Sequence, residues 1–293
     1  MGTNFTVVGG DLRIIKLAKM LSEDGNKVYT YGLEKAEELK EDNNIIICDK
    51  LKEATEKSQI IISSIPFSSN GKNINSPFSE NEIQIIELMK NINSKVLIAG
   101  SLDKEINVLE NEENIKIVDI IKREELAVLN AISTAEGAIE IMIANTNRII
   151  HGKNVLILGF GRLGKVLAKK LTGLSVNVTC AARKSEDLAW ITTYGYSSLN
   201  INEIGENLSK FDIIINTVPH LILTEDKLKY LKEDCLLLVD LASNPGGIDK
   251  KACKDKNLKL ICALALPGKV APITTAAFIK GTVYNVLREI YEK

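Results

Sequence analysis

Residues Lys153 to Gly164 read KNVLILGFGRLG, and the rest of the chain can be placed around them. Val155 to Leu158 form a short apolar run, and Gly159-Phe160-Gly161-Arg162-Leu163-Gly164 follows with G-x-G-x-x-G spacing. Lys165 to Lys170 then reads as a helix. A bare glycine pattern carries little, whereas one that leaves a strand and opens a helix is a dinucleotide fingerprint. Gly159 permits the tight turn, Gly161 lets the backbone approach a pyrophosphate, and Gly164 lets helix and strand pack closely. The helix start adds free N–H groups and a positive dipole end. Gly159, Phe160, Gly161, Arg162, Leu163 and Gly164 are therefore expected to bind the cofactor.

Outward from this turn, apolar runs at Val176–Ala181, Ile213–Val218, Leu236–Leu241 and Leu258–Ala265 read as further strands. Helices are expected near Arg162–Leu171, Asp187–Tyr194, Glu225–Leu231 and Asp249–Lys256. Alternating strands and helices make a parallel α/β sheet. An NAD site usually carries an acid about 20 residues beyond the glycines, on the ribose 2′-OH. Here Arg183-Lys184-Ser185 occupies that place. Two cations and a hydroxyl suit a 2′-phosphate through charge-assisted hydrogen bonds, so the expected cofactor is NADP.

Other segments end strands on the same side. Thr217 and Pro219 can line the cofactor, and Asn244 can offer its amide to the nicotinamide carboxamide. Lys269 is a cation near the expected hydride-transfer position, and His220 is a candidate general base because imidazole titrates near neutrality.

The first part of the chain repeats the α/β alternation. Strands are expected at Phe5–Val8, Lys27–Tyr31, Ile45–Cys48, Gln59–Ile65, Lys95–Gly100 and Ile115–Ile121. Helices are expected at Leu12–Glu23, Glu34–Glu41, Leu51–Lys57 and Asn81–Asn91. Continuous runs such as Ile60-Ile61-Ile62 suit parallel strands buried on both faces. Its opening turn, Val8-Gly9-Gly10-Asp11-Leu12-Arg13, lacks a third glycine, so no dinucleotide is assigned there. Asp11 and Arg13 instead stand at a strand's carboxyl end, where open α/β sheets bind ligands. Ser63 and Ser64 can donate to a carboxylate, and the 66–79 loop, rich in Ser and Asn, reads as a binding loop.

Helical periodicity from Arg123 to about Ile150 is interrupted by Ser133, Thr134, Glu136 and Gly137. That helix is expected to be a hinge with polar groups facing a ligand: Ser133 and Thr134 as substrate contacts, Glu136 as a candidate catalyst. The expected organisation is α/β, with two open doubly wound parallel-sheet domains, the second a Rossmann fold, joined by hinge helices. Residues 1–122 form the substrate-side domain, 123–150 the linker helix and 151–272 the NADP domain. Residues 273–293 form a helix returning to the first domain.

Composition removes several classes. The net charge of −1, from 37 basic and 38 acidic residues, offers no field for nucleic acid. No apolar run in the sequence reads as a membrane span, and the first residues lack a signal-peptide pattern. Five cysteines without a C-x-x-C pair, and only two histidines, give no metal site and suit a reducing cytoplasm.

GGDLR at 9–13, TAEG at 134–137, LGFGRLG at 158–164, AAR at 181–183, NTVP at 216–219, DLASNPGG at 240–247 and ALPGKVAP at 265–272 together resemble the family of the dipicolinate synthase A subunit. The resemblance covers nearly the whole chain, and DLAS-x-PGG with LPG-x-VAP is its most specific part. It implies NADP-linked oxidation of dihydrodipicolinate to pyridine-2,6-dicarboxylate, in the mother cell of a sporulating bacterium. It also implies a partner, the flavoprotein-like B subunit of dipicolinate synthase, within an oligomeric assembly. Arginine is scarce, six residues of the 37 bases, which singles out Arg13 as a clamp for a dicarboxylate substrate. Lys269 is the candidate for the second carboxylate. Two alternatives stay open: a two-domain dehydrogenase of the 2-hydroxyacid type, and a non-catalytic protein that binds NADP for a partner enzyme.

Overall fold

A computed structural model describes residues 3–102, 106 and 114–292. The chain divides into two compact units, residues 1–130 with 271–293, and residues 131–270.

The first unit holds strands β1 (Asn4–Val8), β2 (Lys27–Tyr31), β3 (Ile45–Ile47), β4 (Ile60–Ser63), β5 (Val96–Ala99) and β6 (Lys116–Asp119). All pair in parallel, in the order β3-β2-β1-β4-β5-β6. Its helices are α1 (Leu12–Glu23), α2 (Leu51–Glu56) and α3 (Ile85–Asn91). Successive strand residues point to opposite faces, and both faces are buried. Phe5 and Val7 join one apolar cluster, while Val8 joins the other.

The chain passes from this unit to the second in α4 (Glu124–Asn145). By length and composition α4 is apolar enough to cross a membrane, which the sequence reading did not anticipate. Part of its apolar surface is buried inside the protein, where Leu126 packs in the core of the first unit and Ala135, Ala138 and Met142 in that of the second, while Val128 and Ile143 stay exposed.

The second unit holds β7 (Asn154–Leu158), β8 (Asn177–Ala182), β9 (Ser197–Asn200), β10 (Ile213–Asn216), β11 (Leu237–Asp240) and β12 (Leu260–Cys262). They too are all parallel, ordered β12-β11-β10-β7-β8-β9. Each sheet therefore starts in the middle and winds outward in both directions, the doubly wound order. Between the strands run α5 (Arg162–Gly173), α6 (Ser185–Thr193), α7 (Ile204–Asn207), α8 (Glu225–Leu228) and α9 (Lys250–Asp255). A short α10 (Leu266–Val270) closes the unit. The chain then returns to the first unit as α11 (Pro272–Tyr291), whose opening proline supplies a preset φ where no N–H is needed. α11 lies against α1, where Asp24 accepts from Lys280 Nζ at 2.8 Å and from Tyr284 Oη at 2.6 Å.

Several elements differ from the sequence reading. Ser197–Asn200 is an unexpected edge strand, polar and largely exposed, so it lacks the apolar run that marks a buried strand. Glu34–Glu41 is reduced to a 3-10 turn at Glu37–Leu39. Leu266–Val270 forms α10 despite Pro267 and Gly268.

Candidate active site

The glycine turn follows β7 as expected and opens α5 with Gly161 at the N-cap, unassisted by any side-chain cap. Each glycine answers a different demand. Gly159 has φ of +98°, and a Cβ there would meet Thr217 Oγ1 at 2.5 Å. At Gly164 a Cβ would lie 2.2 Å from the Gly159 carbonyl oxygen. Gly161 is unlike both: its φ of −79° suits any residue, and an added Cβ would meet no protein atom within 4 Å. Neither conformation nor packing asks for glycine at 161. A pyrophosphate approaching the backbone does, and the uncapped helix start offers it N–H donors. The turn thus fits a dinucleotide.

Around it lies a groove of about 770 Å³ at the point where the strand order reverses. It gathers Gly159, Phe160, Gly161, Arg162 and Leu163 from the turn, Arg183 and Lys184 from the end of β8, and Thr217, Pro219 and His220 from the end of β10. Thr217 is fixed there by donating its hydroxyl to the Leu158 carbonyl at 2.8 Å. Arg183 is exposed, and Lys184 makes a 3.1 Å surface pair with Glu186, which holds it weakly. Ser185 is the first residue of α6 but is not among the groove's walls. Asp187, in the first turn of α6, is an acid in the groove that spacing from the glycines did not reveal.

Next to the groove is a buried polar centre that sequence reading missed. Asp240, 2% exposed, ends β11 and accepts from Asn216 Nδ2 at 2.8 Å and from the amides of Ala242, Gly247 and Ile248. Asn216 in turn binds both the amide and the carbonyl of Val218. These bonds fold the 240–248 loop back on the end of β10. A Cβ at Gly247 would lie 2.3 Å from Asn216 Nδ2, which accounts for the second glycine of DLASNPGG. The available signal was the acid at a strand end followed by paired glycines.

Other expected residues are placed elsewhere. Asn244 is exposed and does not line the groove, and Lys269 is exposed on α10, also away from it. Glu136 is not a catalyst poised in the groove: it is exposed and holds Lys170 Nζ at 2.8 Å, on the last turn of α5. On α4, Ser133 is buried and Thr134 half-buried.

In the first unit, Asp11 caps α1 and pairs side-on with Arg13, Nη2 to Oδ2 at 2.7 Å and Nε to Oδ1 at 3.1 Å. Arg13 Nη2 also donates to the Ile65 carbonyl, so the guanidinium, 7% exposed, ties the start of α1 to the end of β4. Ser63 and Ser64 are fully buried and donate to the carbonyls of Val8 and Phe67, at 2.8 and 2.9 Å. Their protons are therefore spent on the fold and are not offered to a carboxylate. Among the cysteines, burial pushes the Cys180 thiol up to about 12 and those of Cys48, Cys235 and Cys253 to about 11. They are inert, while Cys262 is exposed.

Comparison with known proteins gives this arrangement a family. Over 291 residues the chain is 30% identical to the A subunit of dipicolinate synthase from Bacillus subtilis, covering 99% of this chain and 97% of that one. The chain belongs to the dipicolinate synthase A-subunit family. The crystal structure of the Bacillus subtilis protein superposes with a TM-score of 0.90 at 29% identity, over 99% of this chain and 97% of that one. The corresponding protein from Bacillus halodurans gives 0.89 at 28% identity, over 98% of each. The model of this family's N-terminal domain matches residues 4–121, and the shikimate / quinate 5-dehydrogenase model matches residues 135–263. The residues matched by the dehydrogenase model contain the glycine turn and the walls of its groove, as a domain of the nicotinamide-dependent dehydrogenase type would.

Proposed function

We propose that this protein oxidises dihydrodipicolinate to pyridine-2,6-dicarboxylate with NADP, releasing NADPH and a proton. The supporting relatives are components of dipicolinate synthases, and the observation that carries the cofactor choice is Arg183 and Lys184 lining the groove. A bound NADP supplies the hydride-accepting ring. The chain's part is to hold the pyrophosphate on the 159–164 turn and the 2′-phosphate on Arg183, with Lys184 assisting. Thr217, Pro219 and His220 wall the groove at the end of β10, and His220 is the proposed proton acceptor there. Aromatisation supplies driving force, so orientation is the main demand on the protein.

Arg13 in the first unit is one proposed carboxylate-binding cation, and Lys269 in the second unit is another. The Asp11 and Ile65 contacts fix the plane of Arg13 rather than leaving it a free clamp, so Asp11 serves as its positioning residue. The partner is proposed to be the B subunit of the same synthase, and the setting the mother-cell cytoplasm of a sporulating bacterium. A 2-hydroxyacid dehydrogenase would need a histidine–carboxylate pair. Among the described residues neither His151 nor His220 makes an ion pair, which disfavours that reading.

The test is to supply the purified chain with freshly generated dihydrodipicolinate and either NADP or NAD, with and without the B subunit. Pyridine-2,6-dicarboxylate formed with NADP in the chain's presence supports the proposal. Product formed equally well when this chain is left out would reduce it to a binding role and refute the proposal.

A further inference from the structure

One face of the second unit is not absorbed by nucleotide binding. Helix α5 carries Arg162, Lys165, Lys169 and Lys170 and no carboxylate at all, in a chain whose net charge is −1. Along it runs a groove of about 620 Å³ walled by Ile132, Val166, Tyr194 and Tyr196, with Lys165 and Lys169 on its rim. Tyr194 and Trp190 are 53% and 51% exposed, although their rings stack at 5.5 Å and 24°. Large aromatic rings held rigid by each other yet left in water are unusual on a finished surface, because they forfeit burial worth more than that of most side chains. Tyr194 and Tyr196 also cover Phe160 of the glycine turn, with ring centroids at 6.1 and 6.3 Å. The face is therefore contiguous with the cofactor turn without being part of its groove.

We propose that this face docks a protein partner presenting carboxylates around an apolar centre, and, resting on the two-component reading above, that the partner is the second component of the synthase. Composition points to a protein: Tyr194 walls the groove and Trp190 stacks on it beside the groove, and exposed Trp and Tyr are the side chains that concentrate binding energy. Charge points to the partner's chemistry. A second copy meeting this face across a two-fold axis would set its own α5 cations against these, since such contacts are self-complementary. Lys170 is already neutralised by Glu136. Lys165, whose Nζ lies 5.7 Å from the Phe160 ring centre, and Lys169 form no ion pair among the described residues and are open to carboxylates, which would steer association and exclude like-charged partners.

Trp190 is the only tryptophan in the chain, which makes the test direct. Fluorotryptophan incorporated into this chain alone gives a single fluorine resonance, to be followed as the purified B subunit is added, with sedimentation velocity in parallel. Docking here predicts that the resonance shifts and loses its response to a soluble paramagnetic quencher as the complex forms. Trp190→Ala, and separately the exposed Lys169→Glu, should each raise the Kd by about tenfold or more. Both variants should keep the wild-type affinity for NADP and melting temperature, which separates lost docking from lost fold. A complex that forms with the Trp190 resonance unchanged overturns the assignment of this face while leaving the two-component reading intact. Absence of any complex overturns both. Protection of Trp190 by self-association of the isolated chain also overturns it, in favour of a second copy.

Discussion

The glycine turn permits a test that separates what the fold needs from what the ligand needs. Consider Gly161→Ala beside Gly164→Ala. At 161 the backbone already has ordinary φ and the new methyl meets nothing within 4 Å, so no clash term enters. Two small effects remain, and they oppose each other. Restricting the unfolded chain stabilises by about 0.4–1 kcal/mol, while alanine is poorer than glycine at a helix N-cap by an amount on the order of 0.5–1 kcal/mol. Their sum is close to zero, so the melting temperature should stay within about 3 °C of wild type. Nucleotide binding should nevertheless fall, because the methyl occupies the space the pyrophosphate enters. Loss of about tenfold in affinity corresponds to about 1.4 kcal/mol, a modest figure for displaced backbone contacts. At 164 the added carbon lies 2.2 Å from a backbone oxygen that cannot rotate away. Overpacking of that kind costs about 1–3 kcal/mol or more, and stability should drop with binding. The assays are thermal melts without ligand and calorimetric titration of NADP. Gly161→Ala that binds NADP like wild type would refute the reasoning, as would Gly164→Ala that melts like wild type.

Three further outcomes are expected. Arg183→Ala should weaken NADP by about 1.5–3 kcal/mol, the range of hydrogen bonds to charged groups, with NAD nearly unaffected; equal losses for both in calorimetry would remove the 2′-phosphate assignment. Asp240→Ala strands the amides of Ala242, Gly247 and Ile248 and should destabilise by several times the roughly 1–3 kcal/mol of one unsatisfied buried group, tempered by relaxation of the loop, as read by chemical denaturation. Asp212 concerns pH. Burial pushes its carboxyl up, but the hydrogen bond from Lys232 Nζ and the Asn154 amide outweigh this and hold it below the ordinary carboxylate value. A lowered folded-state pKa contributes stability that is present above the unfolded value and lost as pH falls through the folded one. Asp212→Asn should therefore melt lower than wild type at neutral pH, and the gap should close in acid; a gap independent of pH would contradict the pairing.

Much of this molecule could be read from local sequence, and the exceptions have physical causes. Runs such as Ile60–Ile62 and Ile213–Ile215 were legible because parallel strands covered on both faces need continuous apolar residues. Edge strand β9, reading SSLN and largely exposed, has no such requirement and left no signal. Pro267 and Gly268 read as a loop, yet proline is compatible with a first helical turn, and α10 starts one residue earlier. At the site, the glycine turn was legible because its three glycines fall within six consecutive residues between a strand and a helix. Asp240 was not, because Asn216 lies 24 positions away and the role exists only once β10 and β11 are side by side. Ser63 and Ser64 read as ligand donors because nothing in the sequence shows that the Val8 and Phe67 carbonyls take their protons. The pairing of Glu136 with Lys170 is invisible for the same reason, the two lying 34 residues apart.

The proposed reaction moves a hydride from dihydrodipicolinate to NADP on this chain. It is tested most directly by giving the chain substrate deuterated at its saturated ring carbons and measuring the mass of the reduced cofactor. NADPH is expected to be heavier by a single deuterium, formed in equal amount with pyridine-2,6-dicarboxylate, and to form more slowly in Gly161→Ala when NADP is limiting. Pyridine-2,6-dicarboxylate appearing without reduced cofactor, or with unlabelled NADPH, would contradict it.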